Sequence, residues 1–125
     1  MAKKKILVVD DEVKFTNLMK SFLENTKLYD VREANNGTQA LAAAREFKPD
    51  LMFLDVMMPD MDGGAVATEL GANPATQSIK IVFLTAAVTK DEVAAEGGTI
   101  GGRPFLAKPV SLHEVLKTLE KYVGA

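Results

Sequence analysis

The stretch FLDVMMPDMDGG, residues 53–64, decides the fold. An apolar run over Leu51–Leu54 stops at a carboxylate, Asp55. Pro59 follows four residues later, and Asp60, Asp62, Gly63 and Gly64 close the stretch. A proline cannot donate to a strand ladder, and this density of Pro, Asp and Gly is turn chemistry. A short buried strand therefore ends with an acid at its tip, and the chain is made to turn there.

Similar short apolar runs occur at Ile6–Val9, Ile79–Leu84 and Phe105–Ala107. Unbroken apolar runs predict strands covered on both faces. Tyr29–Ala34 starts by alternating apolar and polar residues, which predicts an edge strand. Between the runs lie helical periodicities. Phe15, Leu18, Met19, Phe22 and Leu23 recur at i, i+3, i+4, i+7 and i+8. Ala40, Leu41, Ala44 and Phe47 make a second stripe, and Leu112, Val115, Leu116, Leu119 and Val123 a third. Shorter helices are predicted over Ala65–Leu70 and Thr89–Ala95. Asn36-Gly37 punctuates a helix entry, and Ser111…Glu114 and Thr89…Glu92 have capping-box form.

The order is strand then helix, five times. This predicts an α/β fold, a doubly wound five-stranded parallel sheet with five helices on its two faces. Pro104 marks the last strand as the second edge. Edges at the second and last strands fit the order 2-1-3-4-5. One domain over 1–125 accounts for the chain, and both a stand-alone protein and a segment of a longer one are compatible with it.

At 125 residues, 47% hydrophobic and 26% charged, the sequence is that of a globular domain with a full core. It has no cysteine, which excludes disulfides, thiolate metal sites and cysteine nucleophiles. No apolar stretch approaches the ~20 residues of a membrane span. The start, MAKKKILVVDDE, has too short an apolar part for a signal peptide. A cytoplasmic protein is expected. A net charge of −2 offers no field to gather nucleic acid or an anionic membrane.

In a parallel sheet all strands end on one side, and ligands bind there. Asp10 and Asp11 follow the first strand, Asp55 the third, Thr85 the fourth and Lys108 the fifth. Clustered carboxylates repel unless neutralised. Mg²⁺ suits such an oxygen-donor set and keeps room for a phosphoryl oxygen. Lys108 adds a point charge suited to phosphate, and Thr85 a hydroxyl donor. The set reads as acid cluster, metal and phosphate, with a carboxylate nucleophile.

ILVVDDE, LMFLDVMMPDMDGG, IVFLTAA and FLAKP, in this order, resemble the signature segments of the receiver domain of two-component response regulators, a family of flavodoxin-like fold. The resemblance covers essentially the whole chain. It implies that Asp55 is the phosphoacceptor, Asp11 a direct Mg²⁺ ligand and Asp10 a ligand acting mainly through water. Met57 would lend its backbone carbonyl to the metal. Thr85 would be the switch hydroxyl, Lys108 the phosphate-binding lysine and Phe105 the switch aromatic, where tyrosine is common. Met57 and Ala87 would flank the path of the hydrolytic water, and the Lys108–Pro109 peptide would be cis. The partners implied are a sensor histidine kinase or phosphotransfer protein, and a downstream protein meeting the face of the fourth helix, fifth strand and fifth helix. The domain would be a monomer or a weak phosphorylation-dependent dimer. It would catalyse only its own phosphorylation and slow dephosphorylation.

Taken singly, each residue has a plainer reading: Asp55 a turn acid, Asp10 and Asp11 a helix start, Lys108 a solvated lysine. Five matching types at matching strand ends favour the joint reading. His113, at a capping position of the last helix, reads as a surface residue rather than a phosphorelay histidine. A haloacid-dehalogenase-like phosphatase wants its nucleophile after the first strand and a second aspartate two residues on, and Asp10-Asp11-Glu12 fails that spacing. A receiver-like module that is never phosphorylated usually lacks an acid, the threonine or the lysine, and all are kept here.

Overall fold

The computed structural model describes residues 3–86, 91, 99–100 and 103–124. The elements run β1 (Lys4–Val9), α1 (Val13–Asn25), β2 (Tyr29–Ala34), α2 (Gly37–Phe47), β3 (Leu51–Asp55), α3 (Gly63–Ala72), β4 (Lys80–Thr85), β5 (Thr99–Ile100), β6 (Arg103–Ala107) and α4 (Leu112–Val123). The sheet order is β2-β1-β3-β4-β6-β5. The pairs β1–β2, β1–β3, β3–β4 and β4–β6 are parallel. Counting only parallel strands, this is the expected order 2-1-3-4-5.

Two expectations are corrected. The sheet has six strands, because β5 pairs antiparallel with β6 through Thr99↔Pro104 and Ile100↔Arg103. A two-residue strand carries no periodicity, so it left no signal in the sequence. Four helices, not five, are present among the described residues. The helix predicted over Thr89–Ala95, with its capping residues, lies outside them except for Asp91, which is helical.

The central strands are buried beyond their lysine entrances: Ile6–Val9, Leu51–Asp55 and Ile81–Thr85 are all buried. Their side chains alternate between two cores. Leu7, Val9, Met52, Leu54, Ile81 and Phe83 face α2 and α3 through Ala40, Ala44, Val66 and Leu70. Ile6, Val8, Phe53, Val82 and Leu84 face α1 and α4 through Met19, Leu23, Val115 and Leu119. The period of two along each strand feeds one face and then the other, so both sides need a helical cover.

The helix ends are fixed by side chains that can be read from the sequence. Asn36 accepts from Gln39 N–H at 2.8 Å and Asp62 from Ala65 N–H at 2.8 Å. Ser111 and Glu114 form a full capping box. On α1 the buried line is Thr16, Met19 and Leu23, and Leu18 is 58% exposed. Thr16 takes the place expected for Leu18 because its hydroxyl is satisfied internally, donating to Val13 O and accepting from Asn35 Nδ2. No helix among the described residues is long and apolar enough to cross a membrane.

Candidate functional site

The parallel strands end on one rim, and the polar residues predicted for it meet there. Asp55 and Thr85 are the last residues of β3 and β4, while Asp10 and Lys108 come directly after β1 and β6. Parallel pairing sets the register: Asp55 lies opposite Leu84, and Thr85 opposite Ala107. Lys108 N–H donates to Thr85 O at 2.9 Å, and Asp10 N–H to Ala34 O at 3.1 Å. The site is thus built on strand ends held by the sheet's own ladder.

Asp10, Asp11 and Asp55 each bring a carboxylate oxygen to within 4.8 Å of the others. Asp10 and Asp55 are buried, and Asp11 is exposed. Lys108 Nζ lies 2.6 Å from Asp10 Oδ2 and 3.5 Å from Asp55 Oδ1. Asp10 Oδ1 accepts from Glu12 N–H at 3.0 Å, and Asp55 Oδ1 from Met57 N–H at 3.4 Å. Burial pushes the Asp55 carboxyl up to about 6, the charge of Asp10 adds to this, and Lys108 and Met57 N–H oppose it. For Lys108, burial works against the ammonium, but the hydrogen bond and charge of Asp10, then those of Asp55, overrule it and raise its pKa.

The residues fit a divalent cation. One ammonium, in contact with Asp10 and Asp55, stands against a cluster of three carboxylates, and burial first and the charge of Asp10 second lift Asp55. An all-oxygen donor set with one solvent-facing member is the kind Mg²⁺ takes while keeping waters.

Phe105 stacks on Phe83 with centroids 5.0 Å apart and is half-buried. Met57 points outward and is 68% exposed. The Lys108–Pro109 peptide is cis. Ala87 lies outside the described residues. His113 is exposed and is not a member of the acid cluster. Glu12, Phe15, Ala86, Lys108, Pro109 and Val110 line a cleft of about 420 Å³ beside the cluster.

Sequence reasoning missed the supports of the site. Asn35 Nδ2 donates to Asp10 O at 2.9 Å, tying the loop after β2 to the first acid. The Phe15 ring lies 5.6 Å from Lys108 Nζ. Asp60, expected to be a turn acid, reaches across to α2. None of these follows a periodicity; each depends on which loops the strand order brings together.

The sequence profile of the response regulator receiver domain matches residues 6–120. The chain is 31% identical over 118 residues to the chemotaxis protein CheY of Listeria monocytogenes, covering 94% of this chain and 96% of that protein. It is 40% identical over 114 residues to the transcriptional regulatory protein ResD of Bacillus subtilis, covering 90% of this chain and 45% of that longer protein. Among solved structures it superposes on the chemotaxis protein CheY4 of Vibrio cholerae with a TM-score of 0.81 and 29% identity, over 97% of this chain and 99% of that one. It also superposes on the receiver domain of a sensor histidine kinase from Pseudomonas aeruginosa, described with a magnesium ion coordinated in its active site cleft. There the TM-score is 0.80 and the identity 26%, over 99% of this chain and 100% of that one. With its acid cluster on the carboxyl rim of a 2-1-3-4-5 sheet, this chain belongs to the response regulator receiver domain family.

Proposed function

We propose that the domain takes a phosphoryl group onto Asp55 from a phosphohistidine of a sensor histidine kinase or phosphotransfer protein, or from a small acyl phosphate. A carboxylate oxygen of Asp55 attacks phosphorus; from an acyl phosphate the phosphorus–oxygen bond breaks and a carboxylate leaves with its electron pair, while from a phosphohistidine the phosphorus–nitrogen bond breaks. The bond's electron pair returns to the imidazole, which is protonated from solvent. Asp10, Asp11 and Asp55, with the Met57 carbonyl, would hold Mg²⁺. Bound there, the ion supplies positive charge against the carboxylates and the phosphoryl oxygens. Lys108 offers its ammonium to a phosphoryl oxygen and Thr85 its hydroxyl. The domain turns over no separate substrate; it modifies itself and slowly loses the group to water.

The added group carries about −1.5 to −2 charge. Thr85 would move toward it, and Phe105 would turn inward behind it. The face around β6, α4 and the segment before β5 would then change its affinity for a downstream protein. The domain works in the cytoplasm as a monomer or weak phosphorylation-dependent dimer, without touching nucleic acid or membrane.

The observation that carries this reading is the convergence of three carboxylates within 4.8 Å with an ammonium 3.5 Å from Asp55. Labelling with acetyl phosphate and Mg²⁺ tests it. The label should be lost in alkaline hydroxylamine, as an acyl phosphate is. A label that survives hydroxylamine would place the group on a hydroxyl and overturn the reading.

A further inference from the structure

The loop between β3 and α3 is closed at its base. Val56 N–H donates to Leu84 O at 3.1 Å, and Gly63 N–H to Val56 O at 2.9 Å. A Cβ on Gly63 would stand 2.5 Å from the Asp55 carbonyl oxygen, so this closure requires glycine. The apex is held by a different element. Asp60 Oδ1 accepts from Gly37 N–H at 2.9 Å, while Oδ2 accepts from Thr38 N–H and Thr38 Oγ1, each at 3.1 Å. With Asn36 serving Gln39 N–H, the two side chains satisfy the first three orphan N–H groups of α2. A negative charge is favourable at that helix end. Met61 adds a steric contact: a Cβ on Gly37 would lie 2.6 Å from Met61 Cβ.

Met57 sits between the closed base and this strapped apex. Its side chain is 68% exposed and contributes little packing. Its N–H reaches Asp55 Oδ1 at 3.4 Å, the long end of a hydrogen bond. The Met57 backbone is therefore placed by its neighbours in the loop.

We propose that Asp60 is a positioning residue for the phosphoryl site, strapping the loop to the N-terminus of α2 and so fixing the Met57 backbone beside the acid cluster. This rests on the reading of Asp55 as phosphoacceptor and of Met57 as a carbonyl ligand. Asp60 itself touches no reacting atom. The Gly37 N–H holds its carboxyl below the usual range against the effect of burial, and Thr38 adds to this, as expected of a strap that engages the ionised form.

Two readouts on the full chain separate the strap from the site. Amide hydrogen exchange at Met57 and Met58 in metal-free protein reads the strap alone. Mg²⁺ titration by calorimetry reads the site. Asp60→Ala should speed exchange at both amides and weaken Mg²⁺ binding about tenfold, the scale of an outer-sphere support. Asp60→Asn keeps one acceptor oxygen but turns an NH2 group toward the N–H served by the other, and should recover only part of both. Gly37→Ala changes no charge but displaces Met61, and should behave like Asp60→Ala. Unchanged exchange in Asp60→Ala and Gly37→Ala overturns the strap. Weaker Mg²⁺ binding in Asp60→Ala without faster exchange also overturns it, since charge alone would then act. A parent that binds no Mg²⁺, with exchange still faster in Asp60→Ala, overturns the phosphoryl-site reading instead.

Discussion

Lys108 is bonded to Asp10 more closely than to Asp55: its Nζ lies 2.6 Å from Asp10 Oδ2 and 3.5 Å from Asp55 Oδ1. The ammonium is thus shared between two buried acids from different strands, and it closes a bond between residues 98 apart in sequence. Any group that takes over Asp10's charge would free Lys108 to turn toward Asp55.

Removing this ammonium leaves two buried carboxylates facing each other. Breaking a buried ion pair costs about 3–5 kcal/mol, and partial exposure of Lys108 reduces this to about 1–3 kcal/mol. Lys108→Met should therefore be destabilised in urea at pH 7, and added Mg²⁺ should recover part of the loss. The raised lysine pKa keeps the ammonium's contribution fully present below about 10.4, but its loss lifts Asp55 further above its value of about 6, so the deficit should be smallest near pH 6 and grow as Asp55 ionises at higher pH.

The Asp55 carboxyl, pushed up to about 6, has the opposite linkage from an ordinary paired acid. Its folded pKa lies above its unfolded value near 3.9, so between about pH 4 and 6 the native state binds more protons. Stability of the metal-free protein should fall as pH rises through that window. Asp55→Asn should remove the fall and be more stable at pH 7 by about 1–2 kcal/mol. Denaturant melts from pH 4 to 8 measure it; parallel curves for parent and variant would contradict the assignment.

Asp11 is the exposed member of the cluster. Asp11→Ala should weaken Mg²⁺ binding because it removes one carboxylate of the cluster, yet make the metal-free protein no less stable because it removes repulsion. Calorimetry and thermal melts on the same preparation check both halves. Binding as tight as the parent's would place the metal elsewhere.

Met57 and Ala87 carry no side-chain group able to orient a water. The phosphorylated state should be comparatively long-lived. The double variant Met57→Asn, Ala87→Glu should lose the group faster, followed as decay of the phosphorylated mass. Equal or slower decay would mean these positions do not control the water.

Much of the site was legible because parallel topology converts a local rule into a spatial one. Asp10, Asp55, Thr85 and Lys108 each close an apolar run, and a parallel sheet gathers all such ends on one rim. The supports were not legible. The Asp60–Thr38 bonds and the Asn35–Asp10 bond join residues 22 and 25 apart in sequence with no repeating pattern. Leu18 misled because apolar periodicity tolerates a one-position rotation, and buried Thr16 is acceptable only once Asn35 and Val13 satisfy its hydroxyl. β5 has two residues, too few to leave a period.

The central claim is that Asp55 receives the phosphoryl group. Intact-mass spectrometry of the full chain after incubation with acetyl phosphate and Mg²⁺ tests it most directly, with Asp55→Asn treated in parallel. The account predicts one added phosphoryl group on the parent, none without Mg²⁺ and none on Asp55→Asn. Equal labelling of the Asn variant would contradict it.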